Sequence, residues 1–177
     1  MSFLETLLSQ TSHDYPEMRF VLFKLFWYHN KRIMRHVIAD DRYRIIALVR
    51  RNKLEQYSSR KIAMKTGQWA LLGRKSKQTR VDFNLAEFQR YLRQMKAGEA
   101  NMVEMLRQRE HFFLYYEEVA ERIGELAEWL KLDTDSLLAD GPKVLQKQNS
   151  TNVLERFSNP DTVRELLREE HLTEFIC

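Results

Sequence analysis

Cysteine is almost absent from this 177-residue chain, the one example being Cys177. A single thiol cannot form an internal disulfide, so the stapled scaffolds of small secreted domains are excluded and a reducing compartment is expected. Glycine (5) and proline (3) are equally scarce, which removes collagen-like and linker-like readings. No apolar run approaches the roughly 18 residues of a membrane-spanning helix. The opening MSFLETLLSQ lacks the basic start and the apolar length of a secretory signal. These absences together predict a cytoplasmic chain. The His and Cys residues show no metal-ligand spacing, and no Gly-x-Ser-x-Gly or glycine-rich phosphate loop occurs, so no metal is expected.

What remains is an ordinary globular composition, 44% hydrophobic and 31% charged, with a net charge of +4. Its apolar content is too high for a wholly disordered chain. The charge is unevenly placed. Residues 1–80 hold 17 Lys+Arg against 6 Asp+Glu, whereas residues 81–177 hold 12 against 19. A basic first half suits an anionic partner such as phosphate, sulfate, nucleic acid or acidic lipid, although solvated basic faces would give the same count.

The apolar pattern alternates between two periods. Phe3, Leu4, Leu7 and Leu8 share one helical face. Phe20 to Phe23, extended by Leu25, Phe26 and Trp27, is short and nearly continuous, as in a strand buried on both faces. Helical spacing returns at Ile33, Met34, Val37 and Ile38, and Tyr43 to Val49 predicts a second buried strand. Asn52 with Glu55 three residues on has the form of a capping box, so a helix should start there, line its inner face with Leu54, Tyr57, Ile62 and Ala63, and stop near Gly67. Residues 73–82 read as a basic loop. Asn84 and Glu87 repeat the capping signal ahead of a long amphipathic stretch to Leu106, which Gly98 is placed to bend or break. Phe112 to Tyr116 predicts a third strand, Val119 to Leu130 a helix, and Asn159-Pro160 the start of a last helix over about 161–169. Strands alternating with helices point to a single α/β domain with parallel pairing.

The segment from Tyr43 to Ser59 carries the clearest chemistry. A hydrophobic strand ends in Arg50-Arg51, a capped helix follows, and Ser58-Ser59 lie about two turns in. Ligands of open α/β sheets bind beyond the carboxyl ends of the strands, helix N-termini favour anions, and guanidinium matches phosphate geometry. Two exposed arginines beside an N-cap would carry the same residues without a ligand.

The stretch IIALVRRNKLEQYSSRKIAMKTGQW resembles the 3′-phosphate-binding strand and helix of sulfotransferases, above all the bacterial lipopolysaccharide and NodH-type branch, with an Arg at the strand end, a Ser eight or nine residues later and a Thr-Gly-x-Trp segment. Arg51 to Ser59 is a spacing of eight and Arg50 to Ser59 one of nine; both fit, and Arg51 is preferred. FKLFWYH is similar to that family's Gly-Phe-Lys strand with its downstream His. YYEEVAERIGELAEWLKLD is similar to its Tyr-Glu-Asp-Leu strand end and helix, and LQKQNSTNVLERFSNPDTVRELL to its C-terminal Lys-Gln loop and final helix. The likeness covers most of residues 18–170.

The resemblance implies a P-loop-like parallel sheet flanked by helices, here incomplete with about three strands and a helical C-terminal half. It implies the co-substrate 3′-phosphoadenosine 5′-phosphosulfate and transfer of its sulfonate to an acceptor hydroxyl, on a carbohydrate or lipid-linked sugar. Arg51, Arg50 and Ser59 would hold the 3′-phosphate, with Lys147 reaching the phosphates from the C-terminal loop. Lys24 would stabilise charge on the bridging oxygen, and His29 is the nearest candidate base. An exposed lysine and a turn histidine are the plain alternatives for Lys147 and His29. One departure is large. The family opens with a strand and an Arg-Ser-Gly-Ser-Thr loop whose amides cradle the 5′-phosphosulfate, whereas no glycine precedes Lys24 here. The chain therefore reads as the C-terminal two thirds of a sulfotransferase, with activity in doubt and self-association expected from an open sheet edge. A non-catalytic module for anions is the rival expectation, with nucleic acid the less favoured ligand.

Overall fold

The computed structural model describes residues 6, 21–69, 79–132 and 150–176. They belong to two compact units, Met1–Val37 and Ile38–Cys177. The expected first helix at Phe3–Leu8 lies outside the described residues, Thr6 apart.

In the first unit, residues 21–26 have no regular secondary structure and end in a turn over 27–29, so the strand expected at Phe20–Trp27 is not formed among them. The reason is cover and pairing. Leu22 is 87% exposed, and Phe26 and Trp27 are also exposed, whereas a strand of a parallel sheet needs both faces buried. An apolar run reports a tendency to be buried; it does not supply the ladder partner. Helix α1 (Lys31–Ala39) follows, close to the predicted bounds.

The second unit is α/β. Strand β1 (Ile45–Val49) leads to α2 (Lys53–Thr66) and α3 (Leu85–Leu106), then to β2 (His111–Tyr115). A single 3-10 turn at Tyr116–Glu118 runs into α4 (Val119–Leu130). After a 3-10 turn at Val153–Arg156 comes α5 (Pro160–Glu169). β1 and β2 pair in parallel, from Ile45 opposite His111 to Val49 opposite Tyr115, making among the described residues a two-stranded sheet rather than the three strands expected. β1 is deeply covered on one face only. Ala47 and Val49 are buried, but Leu48 between them is 47% exposed.

Local signals explain the helices. Asn52 and Asn84, both in extended backbone, accept at 2.9 Å from the N–H groups of Glu55 and Glu87, satisfying donors the first helical turn leaves free. Gly67 ends α2 in the left-handed region at φ 69°, which a side chain would strain. Gly98 does not break α3; it is buried within one continuous helix. Asn159 precedes Pro160 as expected, yet its side chain does not cap α5 but accepts from the Phe83 N–H. Val81, read as loop, forms a parallel bridge to Phe157.

The core gathers on the inner faces of α2, α3 and α5. Leu54, Phe88, Phe157, Val163 and Leu167 are fully buried, with Tyr57 at the centre, its ring 5.3 Å from that of Phe88 and 5.5 Å from that of Tyr91. Three aromatics in contact supply large buried area and favourable ring geometry at once. This packing fixes the head of α2 against the C-terminal segment, and so fixes the residues around Arg50 and Arg51.

Candidate anion site at the strand ends

The parallel register brings the carboxyl ends of β1 and β2 side by side. Val49 and Tyr115 are the last pair, so Arg50-Arg51 leaves one strand where Tyr116-Glu117 leaves the other. In parallel sheets this is where ligands bind, and the head of α2 points its amides there.

The two arginines part company. Arg50 turns inward, with a side chain only 18% exposed, and forms an ion pair with Glu55. Its Nε lies 3.9 Å from Glu117 and its guanidinium 4.6 Å over the Tyr116 ring. Arg51 stays open, with a side chain 54% exposed. Its guanidinium lies 3.7 Å above the Tyr115 ring and pairs with Glu118. A cation on an aromatic face keeps its N–H edges available to further acceptors.

The two amides just ahead of α2 are occupied. Glu117 accepts from the N–H of Arg51 at 3.1 Å and of Asn52 at 3.2 Å. Burial raises its carboxyl, but the N–H groups of Arg51 and Asn52, with its own N–H and the charge of Arg50, outweigh it and hold Glu117 below the usual carboxylate range. A carboxylate thus sits where helix N-terminal amides would receive an oxyanion.

Glu55 shows how a capping pattern can be diverted. Its N–H is capped by Asn52, but its carboxylate reaches Arg50 and, at 3.1 Å, Arg156, instead of returning to the Asn52 N–H. Arg156 is buried, its side chain 4% exposed. It donates to the Ser150 carbonyl at 2.8 Å, and to the Ser58 and Ser59 hydroxyl oxygens at 3.3 and 3.4 Å. Burial pulls its guanidinium below the usual arginine range, while the charge of Glu55 works in the opposite direction. Ser58 is fully buried and donates to the Glu55 carbonyl at 3.0 Å. Ser59, the expected phosphate-binding hydroxyl, is therefore tied to Arg156, while Arg51 is engaged by β2.

No protein-family model, curated protein or solved structure matches the chain.

Lys24 and His29 belong to the first unit. Lys24 is exposed, its ammonium 4.7 Å from the centre of the Phe26 ring. His29 closes the turn: its N–H donates to the Phe26 carbonyl at 2.8 Å, and its Nδ1 accepts from the Phe26 N–H at 3.3 Å. With that lone pair engaged, the proton of the neutral ring sits on Nε2, so service as a base requires the turn to release Nδ1. Lys147 lies outside the described residues.

A second feature lies away from the strand ends. An open cleft of about 210 Å³ between α2 and α3 is lined by Arg60, Lys61, Glu87 and Arg90 above Tyr57 and Tyr91. Lys61 donates to Glu87 at 2.8 Å and lies 3.3 Å from the Tyr57 hydroxyl. Among the described residues no group of His, Cys, Asp and Glu is arranged to hold a metal, and no helix is long and apolar enough to cross a membrane.

Sequence reasoning passed over Arg156, Glu117, Glu118 and Tyr115. The acidic pair that follows two tyrosines at the end of a predicted strand was the available signal for Glu117, because strand ends of a parallel sheet converge. Arg156 had none. It sits in a stretch without periodicity, and the packing of Val153, Leu154 and Phe157 in the core with Leu54 and Tyr57 brings it to α2.

Proposed function

We propose that this chain binds the 3′-phosphate of an adenosine nucleotide at the ends of β1 and β2, in the manner of the sulfotransferases its sequence resembles. The two strands would belong to a P-loop-like sheet. The observation that carries the reading is Arg51: a half-exposed guanidinium on the Tyr115 ring, at the end of a parallel strand and at the head of a helix capped by Asn52. An arginine so placed offers a phosphate paired N–H donors beside the positive end of the helix dipole. Ser59, eight residues on, would supply the hydroxyl of the same half-site once released from Arg156.

In the full reaction the acceptor hydroxyl oxygen would bond to sulfur as the bridging S–O bond breaks. The sulfonate moves to the carbohydrate or lipid-linked acceptor, adenosine 3′,5′-bisphosphate leaves, and the hydroxyl proton passes to a base. Lys24 would offset charge on the departing oxygen, with His29 as the candidate base. The co-substrate is 3′-phosphoadenosine 5′-phosphosulfate, and no metal enters the scheme. The step most dependent on backbone amides around the 5′-phosphosulfate has no glycine loop before Lys24 to serve it.

The 177 residues by themselves are therefore expected to bind nucleotide weakly and to transfer sulfonate far below ordinary enzyme rates. Losing one oxyanion donor alone costs about 10²–10³ in rate. The check is sulfonate transfer from 3′-phosphoadenosine 5′-phosphosulfate to sugar acceptors by the purified chain. Turnover of about 1 s⁻¹ or faster would contradict this expectation.

A further inference from the structure

Three contacts fill the anion half-site from a single direction. Glu117 spans two consecutive N–H groups, those of Arg51 and Asn52, at 3.1 and 3.2 Å. Glu118, the next residue, takes the Arg51 guanidinium. Tyr115, at the end of β2, lies under that guanidinium at 3.7 Å. Asn52 caps α2 through the Glu55 N–H, and Glu117 takes the Asn52 N–H that a capping-box Glu55 would have taken, together with the Arg51 N–H ahead of it. Two carboxylates from a segment more than sixty residues away in sequence supply what a phosphate would supply: anionic oxygens to the same donors.

Resting on the reading of Arg51 as a phosphate ligand, we propose that Glu117 and Glu118 form an internal latch. Their carboxylates stand in for the nucleotide 3′-phosphate in the free chain and must be displaced when it binds. A dianion brought onto Arg51 meets two negative charges at contact distance, and like charges so placed oppose binding strongly. The latch is built to move. Both acids lie on or beside one 3-10 turn, Tyr116–Glu118, between β2 and α4, and such turns have weaker hydrogen-bond geometry than an α-helix. Glu117 is 32% exposed at its side chain, so it can swing into solvent without opening the core. Displacement would couple phosphate binding to movement at the end of β2.

The test is titration of adenosine 3′,5′-bisphosphate into the full chain and into Glu117→Gln, Glu118→Gln and Arg51→Ala variants, followed by amide shifts and calorimetry. Glutamine keeps the size and one acceptor oxygen but loses the charge. Each Glu→Gln change is expected to tighten binding by on the order of fivefold, the size of a partly exposed ion pair. Glu121→Gln, the same charge change at an exposed position on α4, should leave affinity unchanged and so separates the latch from net charge. Unchanged or weaker binding in both Glu→Gln variants, with Arg51→Ala still abolishing it, would overturn the latch and leave the phosphate site standing. No binding to any variant would overturn both. Glu118→Gln keeps the test decisive should Glu117→Gln fail to fold, since it leaves the two amide contacts intact.

Discussion

At the residue scale, the most consequential side chain is Arg156. It is buried, and it joins the segment after residue 150 to the first turns of α2 by way of Ser150, Glu55, Ser58 and Ser59. Removing one partner of a buried pair leaves the other charge uncompensated, at a cost of about 3–5 kcal/mol. Glu55 would retain Arg50, which places Arg156→Ala at the low end, about 3 kcal/mol. Urea unfolding followed by circular dichroism measures this. A loss under about 1 kcal/mol, the range of a surface pair, would mean that the network is peripheral. Lysine should not rescue, since it lacks the planar fork that serves Glu55 and the two serines together.

The residue scale also shows what the sequence could and could not disclose. Asn52 and Asn84 were legible because an N-cap is a local event: one side chain, one N–H three residues on, nothing distant required. The carboxylate of Glu55 was not, because spacing predicts where an N3 side chain can reach and not which distant arginine competes for it. Spacing to Ser59 left Arg50 and Arg51 both open, with Arg51 preferred, and the two differ in the structure for a nonlocal reason. Arg50 is drawn inward by Glu55 and Glu117, and Arg51 is held outward by Tyr115 and Glu118.

At the scale of elements, α2 and α3 are joined by core aromatics and by the Lys61–Glu87 pair. Burial pulls Lys61 down and Glu87 up, but the hydrogen bonds among Lys61, Glu87 and Tyr57 outweigh it. Lys61 ends above its ordinary value and Glu87 below. The signs follow from linkage. Glu87 contributes stability that is fully present above the ordinary glutamate value of about 4.3 and is lost as pH falls through its lower folded value. Lys61 contributes stability that is fully present below the ordinary lysine value of about 10.4 and is lost as pH rises through its higher folded value. Glu87→Gln should therefore flatten both limbs of a plot of urea midpoint against pH, with the difference shrinking in high salt. Identical acid limbs for the two proteins would show that the pair contributes nothing.

Elements were legible where a pattern has one physical reading. The 22-residue amphipathic α3 could only be a helix, and its buried Gly98 shows that a glycine costs too little, about 1 kcal/mol, to stop so long a pattern. The short runs were ambiguous by nature. IIALV and HFFLY became strands because they pair with each other, while Val21 to Phe26, equally apolar, has no ladder. Nothing within those six residues encodes that difference, since pairing belongs to two segments at once.

At the scale of the whole molecule, the exposed apolar side chains carry the next expectation. Leu22 is 87% and Tyr28 61% exposed, with Phe26 and Trp27 at 38% each, all within seven residues. Contiguous apolar side chains of this kind favour association. Sedimentation velocity should show concentration-dependent dimers or larger species at tens of micromolar, reduced by Leu22→Ser with Phe26→Ser. A strictly monomeric chain at those concentrations would remove this expectation. The placement of basic charge belongs to the same scale. A positive first half draws anions in general, and on the proposed reading the strand-end geometry would select a phosphate among them.

Selection of the 3′-phosphate at the strand ends can be read from a single titration. Adenosine 3′,5′-bisphosphate and adenosine 5′-monophosphate, which lacks the 3′-phosphate, are each added to the ¹⁵N-labelled chain, with Arg51→Ala and Arg50→Ala in parallel. A millimolar Kd corresponds to about −4.1 kcal/mol, and a charge-assisted contact of about 1.5–3 kcal/mol set against several kcal/mol of ordering cost supplies less than that, so affinity for the bisphosphate is expected to be no tighter than about millimolar. Amide shifts should centre on residues 49–60 and be absent with the monophosphate. Arg51→Ala should abolish them, and Arg50→Ala should weaken binding less while lowering stability. Equal response to both nucleotides, shifts that miss residues 49–60, or greater damage from Arg50→Ala than from Arg51→Ala would contradict the assignment.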